Sequence, residues 1–222
     1  MKDYQTRLAS IGADFGAPQG GEAINAEDYR GKVPDAMVEF WQQNGTSIVL
    51  DGYFQFCDPN RYSGILKLVF DNDPEIRAEQ TYALGFGAFG TIIAWNEAHQ
   101  DVIIDLVKGR ISCPALVNGK SHDPNLSVTS QLMMLDDPSF DEYDADLKKL
   151  FKRARSKLGK LGIDQVYGFK PVLALGGTRD ITSLSIYDAV LHMAILAQAH
   201  ELQLMDDATY PRQSVRSIGG RC

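Results

Sequence analysis

Leu84-Gly85-Phe86-Gly87-Ala88-Phe89-Gly90-Thr91-Ile92-Ile93-Ala94-Trp95-Asn96 is the stretch most crowded with glycine and aromatic residues. It contains a literal G-x-G-x-x-G at Gly85, Gly87 and Gly90. That pattern holds a dinucleotide only where the glycines close a strand and open a helix, so that a pyrophosphate meets free N–H groups at the helix N-terminus. Here Gly90 leads into Thr-Ile-Ile-Ala-Trp, β-branched and aromatic, which reads as a strand. The stretch is therefore strand, turn, strand. Its glycines serve a tight turn or bulge and close packing, and Phe86, Phe89 and Trp95 are core or interface residues.

The neighbouring segments continue the pattern. Thr81 to Leu84, Thr91 to Trp95, Val102 to Val107 and Ile111 to Cys113 are extended segments joined by short turns, which makes an antiparallel meander. Upstream, Ser47 to Leu50 and Tyr53 to Phe56 flank Asp51-Gly52, a strong hairpin signal. Pro34-Asp35 opens a helix whose Met37, Val38, Phe40 and Trp41 share a face, and Asn44-Gly45 stops it. Tyr62 to Phe70 reads as a short buried helix, ended by the acidic turn Asp71-Asn72-Asp73-Pro74-Glu75. That turn lacks the glycine and distal glutamate of an EF-hand loop. The N-terminal residues predict a short helix from Tyr4 to Ile11 and an irregular stretch from Gly12 to Gly21.

The second half changes character. Ser139 and Glu142 form a capping box, and Phe140, Tyr143, Leu147, Leu150, Phe151, Ala154 and Leu158 step by three or four. These predict a long helix, acidic at its start and basic from Lys148 to Lys157, an order that suits the helix dipole. The basic run reads as a solvated helix face. Gln165 to Phe169 and Pro171 to Leu175 read as extended, and Ile186 to Leu204 as an apolar helix. The fold class is α+β: an antiparallel meander with flanking helices, then a smaller helix-rich α+β domain. The expected boundaries are 1–115, a connector at 116–138, a second domain at 139–210 and a mobile tail at 211–222.

Composition narrows the function. The 222 residues carry a net charge of −7, which repels phosphate and disfavours direct nucleic-acid binding. Cys57, Cys113 and Cys222 are odd in number and widely spaced, which favours a reduced, intracellular setting. No signal-peptide pattern and no membrane-length apolar run is present. His99, His122, His192 and His200 make no zinc motif, and no nucleophile elbow or lysine-bearing phosphate loop occurs. His192, amid Leu191, Met193 and Ala194, reads as a core histidine. The sequence thus predicts no catalytic residue, no metal and no cofactor. The Gly-rich turns at 85–90 and 175–179 leave open a small-molecule or nucleotide site. A regulatory adaptor is the other alternative.

The residues also carry a resemblance. Phe15-Gly16-Ala17-Pro18, Val33-Pro34, Phe40-Trp41 with Gly45, Gly52-Tyr53-Phe54-Gln55-Phe56-Cys57-Asp58-Pro59, and Ala88-Phe89-Gly90 with Trp95 resemble the GAD-like domain. Leu150-Phe151 with Ala154, Leu158-Gly159, Tyr167-Gly168-Phe169, Pro171, Ala174-Leu175-Gly176-Gly177 and His192 resemble the small α+β domain that commonly follows it. Proteins with this pairing resemble immunity proteins of type VI secretion DNase effectors. The resemblance implies a cytoplasmic protein that binds a cognate basic nuclease toxin, with no catalysis and no cofactor. An acidic protein suits a basic DNA groove. Candidate contacts are Asp51, Asp58, Asp71, Asp73 and Glu75, with Tyr53, Tyr62 and Trp95 as aromatic anchors. The alternative is that these aromatics are core and the acids only solubilise.

Overall fold

The computed structural model describes residues 4–7, 10, 19, 21–199 and 201–219. Within the first helix expected, residues 4–7 and 10 are helical, while Ile11, the Phe15-to-Pro18 motif, His200 and Cys222 lie outside the described residues. An eight-stranded sheet dominates. Its strands in spatial order are β1 (Ser47–Val49), β2 (Phe54–Phe56), β3 (Thr81–Gly87), β4 (Thr91–Asn96), β5 (Gln100–Asp105), β6 (Arg110–Ser112), β9 (Leu202–Asp206) and β10 (Gln213–Ile218). All neighbours are antiparallel except β6 and β9, which run parallel. β7 (Gln165–Phe169) and β8 (Leu184–Asp188) form a separate antiparallel pair. The helices are α1 (Asp35–Asn44), α2 (Pro59–Val69), α3 (Pro114–Asn118), α4 (Pro124–Leu132), α5 (Phe151–Leu158) and α6 (Ala189–Ala199).

The meander from β3 to β6 arises from the β-branched and aromatic segments and their short turns. Gly90 takes φ +92°, and Phe86, Phe89 and Trp95 are all buried, so the glycine motif is a hairpin turn with core aromatics. Gly85 has a second task. A Cβ there would stand 2.5 Å from the carbonyl oxygen of Gln55 and from the Phe54 ring, so only glycine lets β3 approach β2 so closely. Asp58 caps α2 by accepting the N–H of Asn60 at 3.0 Å, and Pro59 takes the first helical position.

Several expectations are corrected. The long helix predicted from Ser139 is only α5; before it, Leu147 is 82 % exposed at φ +60°, and Asp141, Glu142 and Asp144 are buried in a loop. Asp141 accepts the N–H of Phe151 at 2.9 Å, so its carboxylate receives a helix-start donor that a capping box would otherwise satisfy. The apolar run from Ile186 to Leu204 divides into the end of β8, α6 and the start of β9, because both strands find distant partners in β7 and β6. Pro171 to Leu175 ends in a short 3-10 turn at Leu173–Leu175. Residues 213–218, expected in a mobile tail, form β10: it pairs with β9 and buries Ile218. The chain thus returns from its second half to complete the sheet of its first, and one hydrophobic core runs through both.

Candidate functional site

The two halves are joined by buried polar contacts. Gln55, between Phe54 and Phe56 on β2, donates from Nε2 to the carbonyls of Gly162 at 3.2 Å and Gln165 at 2.9 Å. Its Oε1 accepts the N–H of Asp164 at 3.0 Å. Asp164 then accepts the Tyr62 hydroxyl at 2.6 Å and pairs with Arg61 at 3.1 Å. Tyr167 on β7 donates its N–H to the Ala88 carbonyl at 2.8 Å. The side-chain amide of Gln55 is thus satisfied at the seam, which fixes how the halves meet. Its place between two aromatics was the visible signal, but Asp164 carried none.

The candidate contact residues fall in four places. Tyr53 and Asp51 belong to the β1–β2 hairpin. Tyr53 is buried and donates its hydroxyl to the Asp137 carbonyl at 2.8 Å, while the exposed Asp51 pairs with Arg155 at 3.0 Å. Asp58 and Tyr62 belong to the start of α2, with Tyr62 wholly buried and Asp58 accepting the Tyr29 hydroxyl at 2.7 Å. Trp95, on β4, is buried, with only its rim lining a shallow hollow beside Lys32, Asp35 and Glu97. Asp71, Asp73 and Glu75 share the loop after α2; Asp71 and Glu75 are exposed, and Asp73 is not. The three aromatics and Asp73 therefore shape the surface from beneath.

Asp73 is the most firmly held carboxylate of the set. Arg216 on β10 grips it with Nη1 at 2.6 Å and Nη2 at 3.0 Å, and the N–H groups of Glu75, Ile76 and Gly219 also donate to it. Burial alone would raise its pKa, but these donors outweigh burial and hold it at about 2. The same guanidinium reaches Glu75 at 2.9 Å. Beside this loop, Glu97 accepts the Tyr82 hydroxyl at 2.7 Å, and His99 Nε2 lies 3.2 Å from the Glu75 carbonyl oxygen. Glu75, Glu79 and Glu97 are all exposed there, so the loops at 71–80 and 96–99 present an acidic rim at one end of the sheet. Glu79 and Glu97 come together because Thr81 pairs with Asn96 where β3 begins and β4 ends.

The other candidate chemistry is dispersed. No group of three or more His, Cys, Asp or Glu residues with metal-ligating geometry occurs among the described residues. His192 is buried, stacked on Tyr187 with ring centroids 4.8 Å apart, and burial lowers its pKa to about 4. Burial raises the thiols of Cys57 and Cys113, the latter to about 11, which leaves both as unreactive thiols near neutral pH. The glycine gaps are filled by protein: Gly85 lies against β2, Gly90 against Met193 and Gly177 against the Pro171 carbonyl. Glu142, buried in the loop before α5, is clamped by Lys108 at 2.6 Å and by Arg179. No helix among the described residues is long and apolar enough to cross a membrane.

The halves thus form one α+β body, hydrogen-bonded at the seam around Gln55. Residues 3–108 match the family described as GAD-like domain, and residues 126–200 match the family described as T6SS immunity protein Tdi1, C-terminal. The crystal structure of Atu4351 from Agrobacterium tumefaciens is similar, with a TM-score of 0.91 and 31% sequence identity over 100% of this chain and 99% of that one. No curated protein matches. The chain thus joins a GAD-like match in its first half to a Tdi1 C-terminal match in its second.

Proposed function

We propose that this protein binds and neutralises a nuclease toxin of a type VI secretion system in the cytoplasm of the cell that makes it. The observation that carries this reading is the Tdi1 immunity domain over residues 126–200, fused here to a GAD-like domain. Charge supports the choice of a nuclease. A nuclease grips DNA phosphates with a basic groove, and this protein carries a net −7 with an acidic rim at Glu75, Glu79 and Glu97. Opposite potentials speed encounter and fix orientation. Asp71 and Glu75 stand exposed at this rim, Asp73 and Arg216 hold its loop, and Trp95 supports the adjoining hollow from below. Inhibition then works by occlusion of the DNA groove, the active site or both, with no chemical step. Mixing the purified protein with the nuclease encoded beside its gene gives a stable complex and stops DNA cleavage at equimolar ratio. Cleavage that continues at several-fold excess refutes the reading.

A further inference from the structure

Residues 148–160 carry seven Lys and Arg and no Asp or Glu, so the rest of the chain bears −14 against −7 for the whole. The fold divides these cations by direction. Lys148 pairs with Asp146, Arg153 with Asp144, and Lys157 donates to the Ile181 carbonyl. Lys152, Arg155 and Lys160 instead border a hollow of about 630 Å³ between α5 and the turn at 50–52, floored by Leu50 and Phe151. Lys152 and Lys160 are exposed and have no ion pair or hydrogen bond among the described residues. The opposite wall is stiff and strained: Leu50, Asp51 and Gly52 stand in succession at φ +52°, +60° and +97°. Leucine seldom adopts that conformation, and such strain persists where the surroundings impose it. Tyr53 anchors the wall, its ring edge-on to Phe151 at 4.9 Å.

We infer that this groove receives an acidic, carboxylate-bearing segment of the partner toxin, an inference that rests on the toxin-binding reading above. The groove already shows the interaction it would make. Asp51, from the opposite wall, seats its own carboxylate on Arg155 at 3.0 Å. The groove opens beside Phe54 and Gly87, at the end of the sheet opposite the acidic rim near Thr81 and Asn96, so it offers a separate cationic seat for a carboxylate-bearing segment. Nucleic acid fits less well, because an extended polyanion would meet the −14 of the surrounding chain, whereas three cations over an apolar floor match a short peptide segment.

Two variants with opposite expected signs test the groove against the toxin encoded beside the gene. Lys152→Glu with Lys160→Glu raises Kd about tenfold or more, since close charge pairs at interfaces couple strongly. Both sites are exposed, so the melting temperature is unchanged. Asp51→Asn releases Arg155 and tightens binding about two- to fivefold; asparagine tolerates the left-handed backbone of that turn. Wild-type affinity in the double variant, or weaker binding by Asp51→Asn, overturns the groove while leaving the toxin reading intact. A wild-type protein that fails to bind the toxin overturns both. A short DNA duplex that binds wild type and not the double variant assigns the groove to nucleic acid and overturns the inference.

Discussion

Arg216→Ala tests whether the last strand is an integral part of the fold. The Asp73 carboxylate is fully buried and receives two bonds from the Arg216 guanidinium. Breaking a buried ion pair from one side typically costs about 3–5 kcal/mol, because an uncompensated charge is left behind. Here three backbone N–H donors remain, the guanidinium is itself partly solvated, and its buried Nε has no acceptor. These place the loss at or just below the bottom of that range, about 2–3 kcal/mol. The acid limb gives a second measure. The folded Asp73 carboxyl, held at about 2, binds its proton less readily than the unfolded one near 3.8. Arg216 and the three backbone donors, net of burial, therefore contribute about 2 kcal/mol above pH 4, and the contribution fades as pH falls through 2. Without Arg216, burial dominates, the Asp73 pKa rises, and acid unfolding starts at higher pH. Urea unfolding at pH 7 and at about pH 3 measures both, using the buried Trp41 and Trp95 as fluorescent reporters. A loss under about 0.5 kcal/mol at pH 7, within the range of ordinary surface substitutions, refutes the reasoning.

Burial and close approach set two further outcomes. His192, lowered to about 4 by burial, binds its proton less readily folded than unfolded, so wild-type stability declines by up to about 3 kcal/mol as pH falls from 6.5 to 4. His192→Leu flattens the decline in chemical unfolding across that window; an unchanged slope contradicts the assignment. Gly85→Ala drives a Cβ to 2.5 Å from the Gln55 carbonyl oxygen and costs about 2–3 kcal/mol. Gly87→Ala meets Phe140 at 3.5 Å, an ordinary contact, and costs under about 1 kcal/mol in thermal unfolding. Equal losses at the two glycines would mean that β3 does not approach β2 as described.

Local pattern revealed much of the first half. The Asp51-Gly52 hairpin, the helix opened by Pro34 and the meander after Thr81 each rest on short-range chemistry: turn residues, a proline at a helix start, β-branched runs. The errors lie where distant partners decide. Phe140 to Leu150 keeps a helical spacing, yet Glu142 is drawn to Lys108 and Arg179 and Asp141 to the start of α5, so the chain coils around its own carboxylates. Ile186 to Leu204 is apolar throughout most of its length, and such a run does not by itself distinguish a helix from a buried strand. Its two ends became strands because β6 and β7 offered unpaired edges.

The charges were legible as a total and hidden as a pattern. A net −7 suggests one acidic body, and the basic run from Lys148 to Lys157 reads as an ordinary solvated helix face. Folding separates the two. The return of β10 pins the 71–75 loop through Arg216, while the Leu50–Gly52 turn places Asp51 against α5 and leaves Lys152 and Lys160 beside an apolar floor. Neither arrangement can be read from spacing along the chain, because each depends on a contact more than 100 residues away. The aromatics expected at the surface are the converse case. Tyr53, Tyr62 and Trp95 neighbour acids in sequence, but each is buried and serves the fold. Under the proposed toxin-binding role, single substitutions at the exposed rim residues alter association more than stability.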